Sequence, residues 1–188
     1  MLNVKMNLEK FLLILLTIFA LLFLLSFQMF VSARSQLKRS EKILEAYRMY
    51  VDEDYENFER YVEKNDLKEL KSLKDSLRRR LFEKYYTLGV TKLNAGDFSS
   101  AHEDFKKALQ QLPQQDERRA EVVYLMGQSL VKAGRLVEAK TQLSVVLEMP
   151  NSFYRNQAIK LLIDIYEQTG EGAKAEELRK IYEGVVER

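Results

Sequence analysis

The chain has 188 residues, 46% hydrophobic and 31% charged, a length and balance that suit one modest core. With no cysteine it cannot form a disulfide, a thiol nucleophile or a Cys-ligated metal site, and its single histidine excludes His-pair zinc motifs. A formal charge of +2 gives no overall attraction to nucleic acid, and seven glycines with two prolines favour long helices over strands and turns.

Residues 1–10 read as a short tail and 11–33 as a transmembrane anchor. Within the anchor, residues 11–31 carry no charge, and at 1.5 Å per residue they cover roughly 31 Å, one hydrocarbon core. The rival is a cleaved signal peptide ending at Val31-Ser32-Ala33. The apolar run is longer than a secretory one, which favours the uncleaved anchor in a cell membrane. Orientation signals conflict. Arg34, Lys38, Arg39 and Lys42 outnumber Lys5 and Lys10, which points to a cytoplasmic carboxyl-terminal part. The precedent of short basic amino-terminal tails points the other way, so the reading is single-pass with the side left open, leaning to an extracytoplasmic (periplasmic) domain.

Residues 34–80 read as a helical juxtamembrane hairpin. Leu37, Leu44, Val51 and Phe58 recur every seven residues, with Tyr47 and Tyr61 on the intermediate positions of that period, which predicts one amphipathic helix over about 36–63. Asp54 falls on an intermediate position, which argues for packing against a neighbouring helix over a long two-stranded coiled coil. The aromatic residues Tyr47, Tyr50, Tyr55, Phe58 and Tyr61 read as core. Asp66 and Glu69 read as a capping box that starts a second helix running to about Asn94. That helix carries a basic stretch over 64–84, with Lys71, Lys74, Arg78 and Arg79 forming its basic face. A solvated surface is the plain reading, because Asp66, Glu69, Asp75 and Glu83 interrupt it.

Residues 81–188 contain an internal repeat. Gly89 pairs with Gly127, Gly96 with Gly134, Ala101 with Ala139, Phe105 with Leu143 and Leu109 with Leu147, each 38 apart, and Pro113 and Pro150 close the two units. The first glycine of each unit suits a close helix crossing, the second a left-handed turn, and the alanine a tight contact. A weaker third copy runs through Leu162, Tyr166, Gly170 and Ala175, with Ile163 where the packing glycine belongs and Gly172 after the turn. Extra residues within Gln114 to Arg119 lengthen the connection between the first two copies.

These residues resemble the tetratricopeptide repeat family: Tyr85, Leu88-Gly89, Gly96-Asp97-Phe98, Ala101, Phe105, Ala108 and Pro113 match its pattern, and Met126-Gly127 stands for Leu-Gly in the second copy. The resemblance implies a right-handed solenoid of two to three helical hairpins, which together with the single transmembrane helix read above gives an all-α fold. It also implies a concave groove lined by the first helix of each repeat. The positions it places there are Tyr86, Val90, Leu93 and Asn94, then Tyr124, Gln128, Val131 and Lys132.

His102 reads as solvated helix surface, since no nucleophile, orienting carboxylate or ligand accompanies it, and no Gly-rich phosphate loop is present. No enzyme, cofactor, metal or small-molecule substrate is expected. The leading function is a membrane-anchored protein–protein interaction scaffold, or an accessory or assembly subunit of a membrane complex. Its expected partners are proteins of that complex and the lipid bilayer, with nucleic acid not expected. The alternative is a surface binder of anionic lipid or nucleic acid acting through the basic helix 64–84.

Overall fold

A computed structural model describes residues 8–149 and 153–186. Pro150, expected to close the second repeat, lies outside them, as do Lys5 and most of the amino-terminal tail. Among the described residues every regular element is a helix: α1 (Leu8–Val51), α2 (Tyr55–Lys64), a 3-10 turn (Lys68–Leu70), α3 (Lys71–Ala95), α4 (Phe98–Gln111), α5 (Arg118–Lys132), α6 (Leu136–Glu148), α7 (Arg155–Gln168) and α8 (Gly172–Val186). The chain divides into two compact units, residues 1–72 and 73–188.

In the first unit α1 is continuous for 44 residues, because nothing from Leu8 to Val51 is glycine or proline, and Glu9 and Arg48 sit at the ends that suit their charges. It is long and apolar enough to cross a membrane, and none of its apolar stretch is buried by protein. The single helix expected over 36–63 is corrected. The chain leaves α1 at Asp52 to Asp54 and starts again as α2. Glu53 adopts a left-handed φ of 58°, its amide donates to the Tyr50 carbonyl at 3.3 Å, and the Asp54 amide donates to the Met49 carbonyl at 2.9 Å. That is a Schellman cap made without glycine.

The capping box at Asp66 is corrected in the same way. Asp66 takes a left-handed φ of 47° and closes α2, with its amide on the Glu63 carbonyl at 3.2 Å and the Leu67 amide on the Val62 carbonyl at 3.0 Å. Glu69 does not cap α3 but accepts a bidentate fork from Arg39 of α1, at 2.6 Å from Nε and 2.8 Å from a terminal guanidinium nitrogen. The same guanidinium reaches the Asp66 carbonyl at 3.2 Å. Of the aromatic residues expected in a core, Phe58 is buried, Tyr50, Tyr55 and Tyr61 are half-buried, and Tyr47 is exposed. The Tyr50 ring packs on Phe58 and Tyr55 at 5.5 and 6.0 Å.

The second unit is a stack of three helical hairpins, α3/α4, α5/α6 and α7/α8, in which each apolar cluster joins one hairpin to the next. Phe82, Phe105, Ala108 and Leu112 meet Val122 and Met126 of α5. Val123, Leu130, Leu143 and Val146 meet Ala158, Leu162 and Ile165 of α7. In the third hairpin Ile163 is buried with Ile159 and Ala175.

The two packing glycines lie at true crossings: a Cβ on Gly89 would stand 2.7 Å from the Phe105 ring, and one on Gly127 would stand 2.5 Å from Leu143. Each small residue is thus matched to the large one of its own repeat. Gly96, Gly134 and Gly170 have φ of 83°, 74° and 75° and end α3, α5 and α7. The lengthened connection after α4 also has a physical account. Arg119 reaches back to the Leu109 and Leu112 carbonyls at 3.3 and 2.9 Å, capping a helix end whose own amides have run out.

One further expectation fails here. His102 is 8% exposed, and its Nδ1 is buried without a hydrogen-bond partner. In a stack of hairpins an inner helix is covered by its own partner and by the next hairpin, so a wider arc is buried than two-layer amphipathicity suggests.

Candidate partner-binding face

The first helices of the hairpins, α3, α5 and α7, bring a set of aromatic side chains together around one carboxylate. The Tyr86 hydroxyl on α3 donates to Oε1 of Glu121 on α5 at 2.6 Å, across a separation of 35 residues. Tyr154, just before α7, also hydrogen-bonds Glu121, and its ring packs against Tyr124 of α5 at 5.4 Å. Glu121 therefore joins all three hairpins. Burial first, then the bond to Glu121, pushes the Tyr86 hydroxyl above the ordinary phenol range, and the same two causes raise Tyr154. Burial alone raises Tyr124. These hydroxyls stay protonated donors at any physiological pH.

The cluster is extended at both ends. Phe82 stacks on Tyr86 at 5.6 Å, and the Arg118 guanidinium lies 4.4 Å from the Phe82 ring centre. At the other end Phe153 stands edge-on to Tyr154 at 5.5 Å and is 79% exposed.

Of the groove positions read from the sequence, Tyr86 and Tyr124 come together through Glu121 and Tyr154. Val90 and Leu93 are half-buried and pack into the first apolar cluster, and Val131 packs into the second. Asn94 is exposed and Gln128 half-buried. Lys132 leans away, its ammonium 5.6 Å from the Phe98 ring centre at the start of α4. Glu121, Phe153 and Tyr154 were missed. Glu121 lies one turn before Tyr124, so stepping back one turn from each groove tyrosine would have found it.

On the basic face, Lys71 and Arg79 are exposed, whereas Lys74 and Arg78 are half-buried. Lys74, Arg78 and Arg80 each interact with another group of the protein. Away from both sites, Lys92 of α3 pairs with Asp104 of α4 at 2.5 Å, the carboxylate almost fully buried. Thirty-eight residues on, the same two positions hold Leu130 and Gln142.

Comparison with known proteins places this geometry. A family model described as tetratricopeptide repeat matches residues 92–154. The solved tetratricopeptide repeat domain of Arabidopsis FLU superposes with a TM-score of 0.54 at 22% identity, covering 58% of this chain and 98% of that one. The crystal structure of MamA gives a TM-score of 0.46 at 21% identity, with 72% of this chain and 70% of that one covered. No curated protein matches the chain in sequence. With a glycine-matched hairpin repeat, left-handed glycine turns and the match of residues 92–154 to the repeat model, the second unit has the fold of a tetratricopeptide repeat domain.

Proposed function

We propose that the chain is a membrane-anchored scaffold that holds a protein partner on the face formed by α3, α5 and α7. The observation that carries this is the aromatic cluster around Glu121. The Tyr86 and Tyr154 hydroxyls are both engaged by Glu121, while the outer edge presents an exposed phenylalanine, so the cluster offers a preorganised apolar platform. An extended or helical segment with apolar anchors suits such a platform. The anchor reading is supported by the exposed apolar half of α1 and by the unbroken passage of that helix through Val31-Ser32-Ala33. An accessory or assembly role in a membrane complex is the narrower form of the same proposal.

The test is the double variant Tyr86→Ala with Tyr124→Ala in the full chain. Loss of the crosslinked partner from intact membranes, with helical content and melting behaviour kept, is the expected outcome. Collapse of the fold would assign both tyrosines to the core and remove the site. Contact with anionic headgroups or nucleic acid through 64–84 would instead show as binding that falls steeply with salt and is indifferent to this double variant.

A further inference from the structure

Of the residues that gave the juxtamembrane stretch its seven-residue period, Phe58 and Tyr61 on α2 pack, but those on α1 do not. On α1 the side facing α2 and the Arg39 clasp carries Ile43, Ala46 and Tyr50, which are half-buried or buried. Leu37, Leu44, Tyr47 and Val51 lie on the other side and are between 45 and 73% exposed. They lie beyond the uncharged stretch 11–31, in water if that stretch spans the bilayer, and they form a continuous ridge because positions seven apart differ by only about 20° around an α-helix. Asp54, on an intermediate position of this period, does not interrupt the ridge, because α1 ends at Val51 and Asp54 belongs to the turn.

We infer that this ridge is where a second copy of the chain pairs, in parallel, helix α1 against helix α1. The inference rests on the anchor reading above, which fixes its geometry. Copies held by the same apolar segment leave the bilayer in the same direction and at the same height, so Leu37 meets Leu37 and Val51 meets Val51 without axial offset. A seven-residue ridge wraps most readily around another of equal period, and a copy supplies one by construction. The intervening positions begin with the small residues Ala33 and Ser40, which let the backbones approach where the helices emerge.

The charges agree with this choice. Lys38, Arg39, Lys42 and Glu45 point away from the ridge. At its edges, parallel pairing sets Gln36 of one copy beside Glu41 of the other, and Ile43 beside Arg48, so no like charges are opposed. Two heptads are short for a coiled coil in free solution. Confinement to one membrane raises the effective concentration that the pairing needs.

The natural chain lacks cysteine, so single introduced cysteines report without background. Leu37→Cys, Leu44→Cys and Val51→Cys would be compared with Lys38→Cys, Lys42→Cys and Glu45→Cys, each in the full chain in native membranes and oxidised with copper phenanthroline. The expected result is a disulfide dimer several-fold more abundant at 37, 44 and 51 than at 38, 42 and 45. Adding Leu44→Glu and Val51→Glu to Leu37→Cys should abolish that dimer. A chain retained through an alkaline wash that gives no dimer, or equal dimer at all six positions, overturns the pairing and leaves the anchor standing. Release of the chain by the wash removes the anchor reading, and the pairing with it.

Discussion

A Cβ placed on Gly89 or Gly127 has nowhere to go, since the Phe105 ring and Leu143 side chain that it meets are themselves fully buried. Gly127→Ala should therefore lower stability by about 1 to 3 kcal/mol, the usual cost of overpacking. The pairing with Leu143 gives the prediction its sharper form. In the double variant Gly127→Ala with Leu143→Ala the new methyl group occupies part of the space that the leucine leaves, so the loss should be smaller than the sum of the two single losses. Thermal melts of the four proteins in the cycle decide it, and strict additivity would mean that the two positions do not share a crossing. The Lys92 and Asp104 pair shows the opposite freedom. One repeat fills a hairpin interior with an ion pair and the next fills it with Leu130 and Gln142, so the backbone packing is the constant and the chemistry inside it is not.

Helix ends show what the sequence disclosed and what it hid. Five of them use one device, a left-handed residue followed by a 6→1 hydrogen bond, at Glu53, Asp66, Gly96, Gly134 and Gly170. The three glycines were legible because glycine is the residue expected there. The two acidic residues were read as helix interior and as an amino-terminal cap, since neither carries the usual mark of a left-handed turn. Glu53→Gly should accordingly stabilise the chain: relief of a left-handed side chain, about 1 to 2 kcal/mol, outweighs the greater freedom of unfolded glycine, about 0.5 to 1 kcal/mol. A melting temperature that fell in this variant would show that the Glu53 side chain contributes more than its backbone costs. The turn at Gly170 is reinforced electrostatically. Glu171 accepts hydrogen bonds from Lys140 of α6, from Lys174 at 2.7 Å and from Thr169 at 3.0 Å, which draw its carboxyl from an ordinary 4.5 down to about 2. Because the folded value is the lower one, this contribution is fully present above pH 4.5 and is lost as pH falls toward 2. Wild type and Glu171→Gln should differ in melting temperature at pH 7, and their curves should converge between about pH 4.5 and about pH 2. A gap independent of pH would assign the effect to packing.

For the molecule as a whole, the repeat was legible because its period of 38 residues is a property of spacing, whereas the proposed binding face was only half legible. Tyr86 and Tyr124 follow from register, but Glu121 and Tyr154 join them through contacts between repeats, which no single repeat records. In the proposed anchoring the carboxyl-terminal part of the chain lies on the extracytoplasmic side. A cysteine appended at the carboxyl terminus should react with a membrane-impermeant maleimide in intact cells whose outer barrier has been opened, as the extracytoplasmic placement requires. Labelling only after lysis would reverse the orientation. The unbroken course of α1 turns that helix into a ruler. From Val31 to Val51 it advances about 30 Å at 1.5 Å per residue, so under the proposed anchoring the end of the helix stands off from the bilayer by a set height and faces a set compass direction. Inserting seven residues between Ser32 and Ala33 would raise that end by about 10 Å and turn it by only about 20°, whereas inserting three would raise it by about 4.5 Å and turn it by about 60°, and both leave Leu37 and Arg39 in place. Whichever insertion impairs the protein more will reveal whether the stalk sets an altitude or an azimuth.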